Sequence, residues 1–288
     1  MKVGFLGTGL MGQPMAKRLL EAKIPVVAYN RTQSKLAPLQ DAGAKIADSP
    51  QQAIRESECV ILMLTNATAI DEILLSEASR QELKGRTVIQ MGTISPRESK
   101  AISSQVVEAG GEYIEAPVLG SIPEAEAGKL IVMVGASDEQ FQKWSDFLKH
   151  FSSEPLHIGS VGAAAGVKLA LNQLIASLTS AFALSLGFVQ RQGADVEMFM
   201  QILRQSALFA PTFDKKLQRM LDRNYENPNF PTKHLLKDTN LFLNEAKFNG
   251  LNVNSLEGIR QILEMAQDMG LAEDDYSALF SAINPEDE

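Results

Sequence analysis

The chain has 288 residues, 45% of them hydrophobic and 22% charged, with a mean hydropathy of −0.06. That is enough for two domains with a sizeable core, in the range of soluble globular proteins. A net charge of −8 and a pI near 5.1 argue against nucleic acid as a partner, because its recognition needs a basic face. The single cysteine, Cys59, excludes an internal disulfide framework and suits a reducing compartment. The apolar start is too short for a signal peptide, so a cytoplasmic location is expected.

The amino terminus is the most informative segment. Val3 to Leu6 is an apolar run leading straight into Gly7-Thr-Gly9-Leu-Met-Gly12. A helical pattern follows, with Met15, Leu19 and Leu20 spaced to face a sheet, and a second apolar run, Val26 to Tyr29, closes the unit. In that strand–turn–helix–strand context the glycines indicate dinucleotide binding. Gly7 permits the tight turn, Gly9 lets the backbone approach a pyrophosphate, and Gly12 lets helix and strand lie close. The helix N-terminus offers its N–H groups to the phosphates.

The end of the second strand bears on the cofactor. An acid there pairs with the ribose hydroxyls of NAD and repels a 2′-phosphate. No acid occurs between Glu21 and Asp41; the strand ends in Asn30-Arg31-Thr32. A guanidinium can grip a 2′-phosphate in fork geometry and stack on adenine, so NADP(H) is expected over NAD.

Further apolar runs at Cys59–Leu64, Thr87–Met91, Glu112–Val118, Leu130–Val134 and Leu156–Ile158 alternate with helical patterns, as in a doubly wound α/β domain with a mostly parallel sheet. After residue 160 the spacing is helical only, over Val196–Ala207, Thr212–Arg223, Lys233–Phe248 and Leu256–Met269. The expected organisation is a Rossmann domain over 1–160 and an all-helical domain over 161–288, beginning with a long helix at about 163–191. Between Glu154 and Arg191 the only formally charged residue is Lys168, and Asn172 follows on the same helix face. A nearly uncharged helix is normally buried, and burying an ammonium without purpose is costly, so Lys168 reads as functional. Leu169–Gln190 carries too many polar residues for a membrane span. No metal is expected, because His150, His157 and His234 lack ligand spacing.

Four blocks in order then resemble the β-hydroxyacid dehydrogenase family: Gly4-Phe-Leu-Gly-Thr-Gly-Leu-Met-Gly12, Glu115-Ala-Pro-Val-Leu-Gly-Ser121, Gly162-Ala-Ala-Ala-Gly-Val-Lys168 with Asn172, and Lys237-Asp238. The Asn-Arg-Thr ending and the Glu-Ala-Pro-Val block look most like its NADPH-dependent glyoxylate/succinic semialdehyde reductases. The resemblance implies a Rossmann domain followed by a helical one, and an oxidoreductase acting on a small aldehyde acid or hydroxy acid. It makes Lys168 the catalytic lysine and Asn172 the substrate-orienting amide. Cofactor contacts fall to Gly7, Gly9, Leu10, Met11, Gly12, Asn30, Arg31, Thr32, Met63, Leu64, Thr93 and Lys237, with Thr93 near the substrate as well. The turn of Leu119, Gly120 and Ser121 would hold the substrate carboxylate. Lys237 and Asp238 would close the cleft, Asp238 on the substrate side, and Phe230 would line the acyl side of the pocket.

Two departures stand out. The substrate loop usually reads Pro-Val-Ser-Gly, and Leu119 replaces that serine, leaving Ser121 or backbone N–H groups to serve. Ala164 stands where the lysine block usually has glycine. Hydride transfer to a carbonyl develops charge on oxygen, which an ammonium at Lys168 can stabilise and protonate. Partial burial would lower its pKa from the free value of about 10.4 and ease that transfer. Other readings are an NAD(P)-dependent 3-hydroxyisobutyrate or tartronate semialdehyde enzyme, an imine reductase, which usually lacks the lysine, and a nucleotide sensor without turnover. The uncharged helix and helical second half offer more apolar surface than one nucleotide domain covers, so a homodimer or homotetramer is expected.

Overall fold

The computed structural model describes residues 1–286 and divides into two compact units, Met1–Lys168 and the chain from Leu169 onward. The first is built on strands β1 (Val3–Leu6), β2 (Val26–Tyr29), β3 (Lys45–Ile46), β4 (Cys59–Leu62), β5 (Thr87–Gln90), β6 (Glu112–Glu115), β7 (Val118–Leu119), β8 (Ile131–Gly135) and β9 (Leu156–Gly159). Their order across the sheet is β3-β2-β1-β4-β5-β6-β8-β7, with β9 also paired to β8. The first six run parallel; β8 is antiparallel to β6 and β7, and β9 parallel to β8.

Helices α1 (Gly12–Glu21), α2 (Ala37–Asp41), α3 (Pro50–Arg55), α4 (Ala67–Leu74), α5 (Glu77–Arg80), α6 (Pro96–Glu108), α7 (Ile122–Ala127) and α8 (Asp138–Leu148) connect these strands. The central strands are buried on both faces, as near-continuous apolar runs require. Strand alternation sorts their side chains into two cores. Val3, Phe5, Cys59, Ile61 and Ile89 pack with Met15 and Leu19 of α1 and Trp144, Phe147 and Leu148 of α8. Leu6, Val60, Leu62 and Val88 pack on the other face with Ile54 of α3, Ile70 and Leu74 of α4 and Ile102 and Val106 of α6.

The fold is the expected one, with local corrections. The run Cys59–Leu64 leaves the sheet after Leu62, so Met63 and Leu64 stand just past the strand. Glu112–Val118 is two strands, not one. Both pair antiparallel with β8 in one register, and Pro117, with no N–H to donate, interrupts the ladder between them.

The second unit is helical among the described residues. The 29-residue α9 (Ala163–Arg191) leads to α10 (Val196–Gln205), α11 (Pro211–Leu221), α12 (Thr232–Phe248), α13 (Asn254–Asp268) and α14 (Leu279–Ile283). From Leu169 on, α9 supplies Ala176, Phe182, Ala183 and Leu186 to a core with Met200, Phe213, Met220, Leu235, Leu263 and Phe280. The Phe182 and Phe213 rings stack at 4.8 Å. Although α9 is long and apolar enough to cross a bilayer, it carries the buried polar groups of Asn172, Thr179 and Ser180. An ion pair, Lys216 Nζ to both oxygens of Asp275 at 2.7 and 2.8 Å, is buried in this unit. Removing one partner of such a pair leaves an uncompensated charge, so it specifies how α11 docks more than it adds net stability.

Candidate active site

The glycine loop leaves the carboxyl end of β1, beside the point where the strand order reverses between β1 and β4. Two glycines are dictated by the protein itself. Gly7 has φ +98°, and a Cβ on it would stand 2.4 Å from the carbonyl oxygen of Met63. A Cβ on Gly12 would stand 2.0 Å from the carbonyl oxygen of Gly7. Gly9 is different: a Cβ there meets nothing within 4 Å. That open space leaves the backbone accessible to a group from outside the chain, as close approach of a pyrophosphate requires.

The start of α1 fits the same guest. No side chain caps it and no acid lies in its first turn. An N-terminus left this way favours an anion. Thr8 adds a buried hydroxyl with no hydrogen-bond partner among the described residues. The residues present therefore fit a dinucleotide.

Asn30, at the end of β2, ties the strand to this loop. Its Oδ1 accepts from Thr8 N–H at 3.1 Å and its Nδ2 donates to the Thr32 carbonyl at 2.9 Å. Arg31 and Thr32 are exposed, as is Leu10, while Met11 is half-buried against the first core. Met63 and Leu64 back Gly7, and a Cβ on Gly92 would meet the Leu64 carbonyl oxygen at 2.6 Å. Gln90 braces the turn before Thr93 by accepting from Gly92 N–H at 2.8 Å and donating to its carbonyl at 3.0 Å. The loop, Asn30, Met63, Leu64 and Thr93 thus gather at the carboxyl edge of adjacent strands.

The turn after Pro117 differs from expectation in its polar groups. Ser121 begins α7, and both its N–H (2.8 Å) and its hydroxyl (2.5 Å) donate to Glu124 Oε2. A ligand carboxylate at this turn would have to compete with Glu124 for them. Leu119 is half-buried and Gly120, at φ +136°, exposed.

Lys168 is 9% exposed, in the second turn of α9. The first turn of that helix is held by the residue that opens the Glu-Ala-Pro-Val block. Glu115, 1% exposed, accepts at Oε1 from the N–H groups of Gly162 (2.7 Å), Ala164 (2.8 Å) and Ala165 (3.2 Å). Its Oε2 accepts from Ser99 Oγ at 2.6 Å, which also meets the Tyr113 hydroxyl at 2.9 Å. Burial pushes the carboxyl above the ordinary range, against the pull of these donors. The signal in the sequence was an acid ending an otherwise buried strand.

In the helical unit, Asn172 is 2% exposed and donates to Asp238 Oδ2 at 2.6 Å. That bond fixes the amide orientation, and leaves Asn172 Oδ1 buried with no partner among the described residues. Lys237 Nζ lies 2.7 Å from Asp238 Oδ1. Phe230 is stacked on His234 and edge-on to Tyr276. His157 is taken up by the Ala136 carbonyl at 2.9 Å and by stacking on Phe141. Among the described residues no three His, Cys, Asp or Glu side chains group as a metal site.

Residues 2–160 match the family described as the NAD binding domain of 6-phosphogluconate dehydrogenase, and residues 162–283 that described as NAD-binding of NADP-dependent 3-hydroxyisobutyrate dehydrogenase. The chain is 31% identical over 288 residues to 2-hydroxy-3-oxopropionate reductase of Escherichia coli, covering 98% of this chain and 97% of that one. It is 30% identical over 283 residues to the chloroplastic glyoxylate/succinic semialdehyde reductase 2 of Arabidopsis thaliana, covering 98% and 79%. A 3-hydroxyisobutyrate dehydrogenase structure from Salmonella typhimurium shares the fold with a TM-score of 0.87, at 22% identity, over 98% of this chain and 99% of that one. Fold, glycine loop and these matches define an oxidoreductase that binds a nicotinamide dinucleotide. The chain belongs to the β-hydroxyacid dehydrogenase family.

Proposed function

We propose that the protein reduces a small aldehyde acid with NADPH, taking succinic semialdehyde to 4-hydroxybutyrate or glyoxylate to glycolate. When bound, the nicotinamide supplies the hydride. Lys168 donates the proton to the carbonyl oxygen and, as an ammonium, stabilises the charge that develops there. Asn172, with an unpartnered buried acceptor and an amide nitrogen fixed by Asp238, orients the substrate. The observation that carries this reading is the burial of Lys168 in a helix with no other formal charge before Arg191.

NADPH is favoured over NADH because Asn30, rather than an acid, ends β2, and because Arg31 is exposed beside it, able to reach a 2′-phosphate. The test is NADPH oxidation against a panel holding succinic semialdehyde, glyoxylate, 2-hydroxy-3-oxopropionate and uncharged aldehydes, run beside oxidation of 3-hydroxyisobutyrate with NAD. Highest kcat/KM on an aldehyde acid with NADPH supports the proposal. Best activity as an NAD-linked hydroxyacid oxidation overturns it, and no turnover at all favours a sensor.

The working form is a homo-oligomer built on the helical unit. Leu174, Leu178, Leu184 and Phe188 share one face of α9 and are exposed, the last two by 63% and 64%, with Met198 and Ile202 of α10 also exposed. A stripe of this kind on a soluble chain marks an association surface.

A further inference from the structure

The first turn of a helix leaves N–H groups that a neighbouring Ser, Thr, Asp or Asn ordinarily satisfies. At α9 the residues just before the helix, Val161 and Gly162, have no polar side chain. The cap comes instead from Glu115, 47 to 50 residues earlier, whose single oxygen Oε1 collects three N–H groups. A buried carboxylate is a costly way to cap a helix that a local serine could cap. The surroundings are shaped around it: a Cβ on Gly135, its partner across β8, would stand 2.2 Å from Oε1, and Ser99 holds the second oxygen.

What the arrangement adds over a local cap is registration. Glu115 is the last residue of β6, fixed by pairing to β5 and β8. Its bonds to Ala164 and Ala165 therefore fix both the height and the rotation of the turn from which Lys168 projects, four and three residues on. We propose that Glu115 is a positioning residue for the reaction: it clamps the first turn of α9 to the end of β6 and so holds the Lys168 ammonium in place. This rests on Lys168 being the proton donor.

The test compares E115A, E115Q and K168A in the full-length protein. Glutamine keeps the shape; its carbonyl oxygen can accept from the helix while its NH2 donates to Ser99 Oγ. E115A should lower kcat by about 10- to 100-fold, the scale of a displaced catalytic group, while NADPH affinity is retained and the deuterium isotope effect from NADPH labelled at C4 rises. Amide hydrogen exchange at Gly162, Ala164 and Ala165 should accelerate in E115A and not in E115Q, and E115Q should keep most of the parental kcat. If E115A does not fold, E115S, too short to reach the helix, takes its place with the same expectations. Folded E115A or E115S with parental kcat overturns the proposal, as does an E115Q variant as slow as E115A. Failure of the underlying reading shows elsewhere, in a K168A variant that turns over normally.

Discussion

The three glycines of the nucleotide loop should respond to alanine in opposite ways. At Gly12 the added Cβ would lie 2.0 Å from a backbone oxygen, and at Gly7 it would lie 2.4 Å from one, in a left-handed conformation. Neither neighbour is a flexible side chain that can swing away. Overpacking costs about 1–3 kcal/mol, and a left-handed non-glycine residue about 1–2 more. Gly7→Ala and Gly12→Ala should each lose at least about 2 kcal/mol of stability, read by urea denaturation. At Gly9 the methyl enters open space and the backbone is not left-handed, so stability should hold or rise by about 0.4–1 kcal/mol. NADPH binding should show the reverse. A methyl on Gly9 stands where the phosphates approach, and losing one charge-assisted hydrogen bond costs about 1.5–3 kcal/mol, about 10- to 150-fold in Kd. Fluorescence titration and denaturation on the same samples separate the two effects. A stable Gly9→Ala variant that binds NADPH with parental affinity would refute the assignment of the loop.

The double variant N30D/R31L should weaken NADPH by about 1.5–3 kcal/mol and improve NADH, in paired binding titrations; unchanged NADPH affinity would mean that the phosphate is held elsewhere. Burial, with help from Lys237 and Lys233, holds the His234 imidazole below its ordinary pKa of 6.5. The folded state then binds that proton less tightly than the unfolded chain, so the stability it contributes is present above the ordinary value and lost as pH falls through the lowered one. His234→Gln should flatten the fall in denaturation midpoint from about pH 7 to about pH 5, and an undiminished fall would count against it. Replacing Leu184 and Phe188 with Glu should convert an oligomer to monomers in light scattering, and a monomeric parent at micromolar concentration would sink the association surface.

Most of the fold was legible because its signals are local. Val3–Leu6 and Val26–Tyr29 match observed strands residue for residue, being apolar runs bounded by turn residues. Hydrophobicity alone carried β4 two residues too far. Met63 and Leu64 are apolar enough for a strand, but their backbone must pass Gly7 and Gly92 at contact distance, which no local pattern encodes. The site was legible where chemistry sits in one segment, as in the glycine loop and the lysine helix. It was hidden where partners are far apart in sequence. Glu115 reaches N–H groups about 50 residues away, Asn172 meets Asp238 across 66, and Ser121 has its donors taken by Glu124 through a capping arrangement that also reads as ordinary helix punctuation.

The most direct measurement is single-turnover NADPH oxidation by Lys168→Ala with the best aldehyde acid of the panel. NADPH affinity should be nearly unchanged, since the glycine loop and Arg31 are untouched, while the rate falls by about 10²–10⁴-fold for want of the proton donor. Lys168→Arg should restore little, because a guanidinium keeps the charge but does not release a proton near neutral pH. A Lys168→Ala variant that binds NADPH and reduces the aldehyde acid at close to the parental rate would contradict the assignment of Lys168.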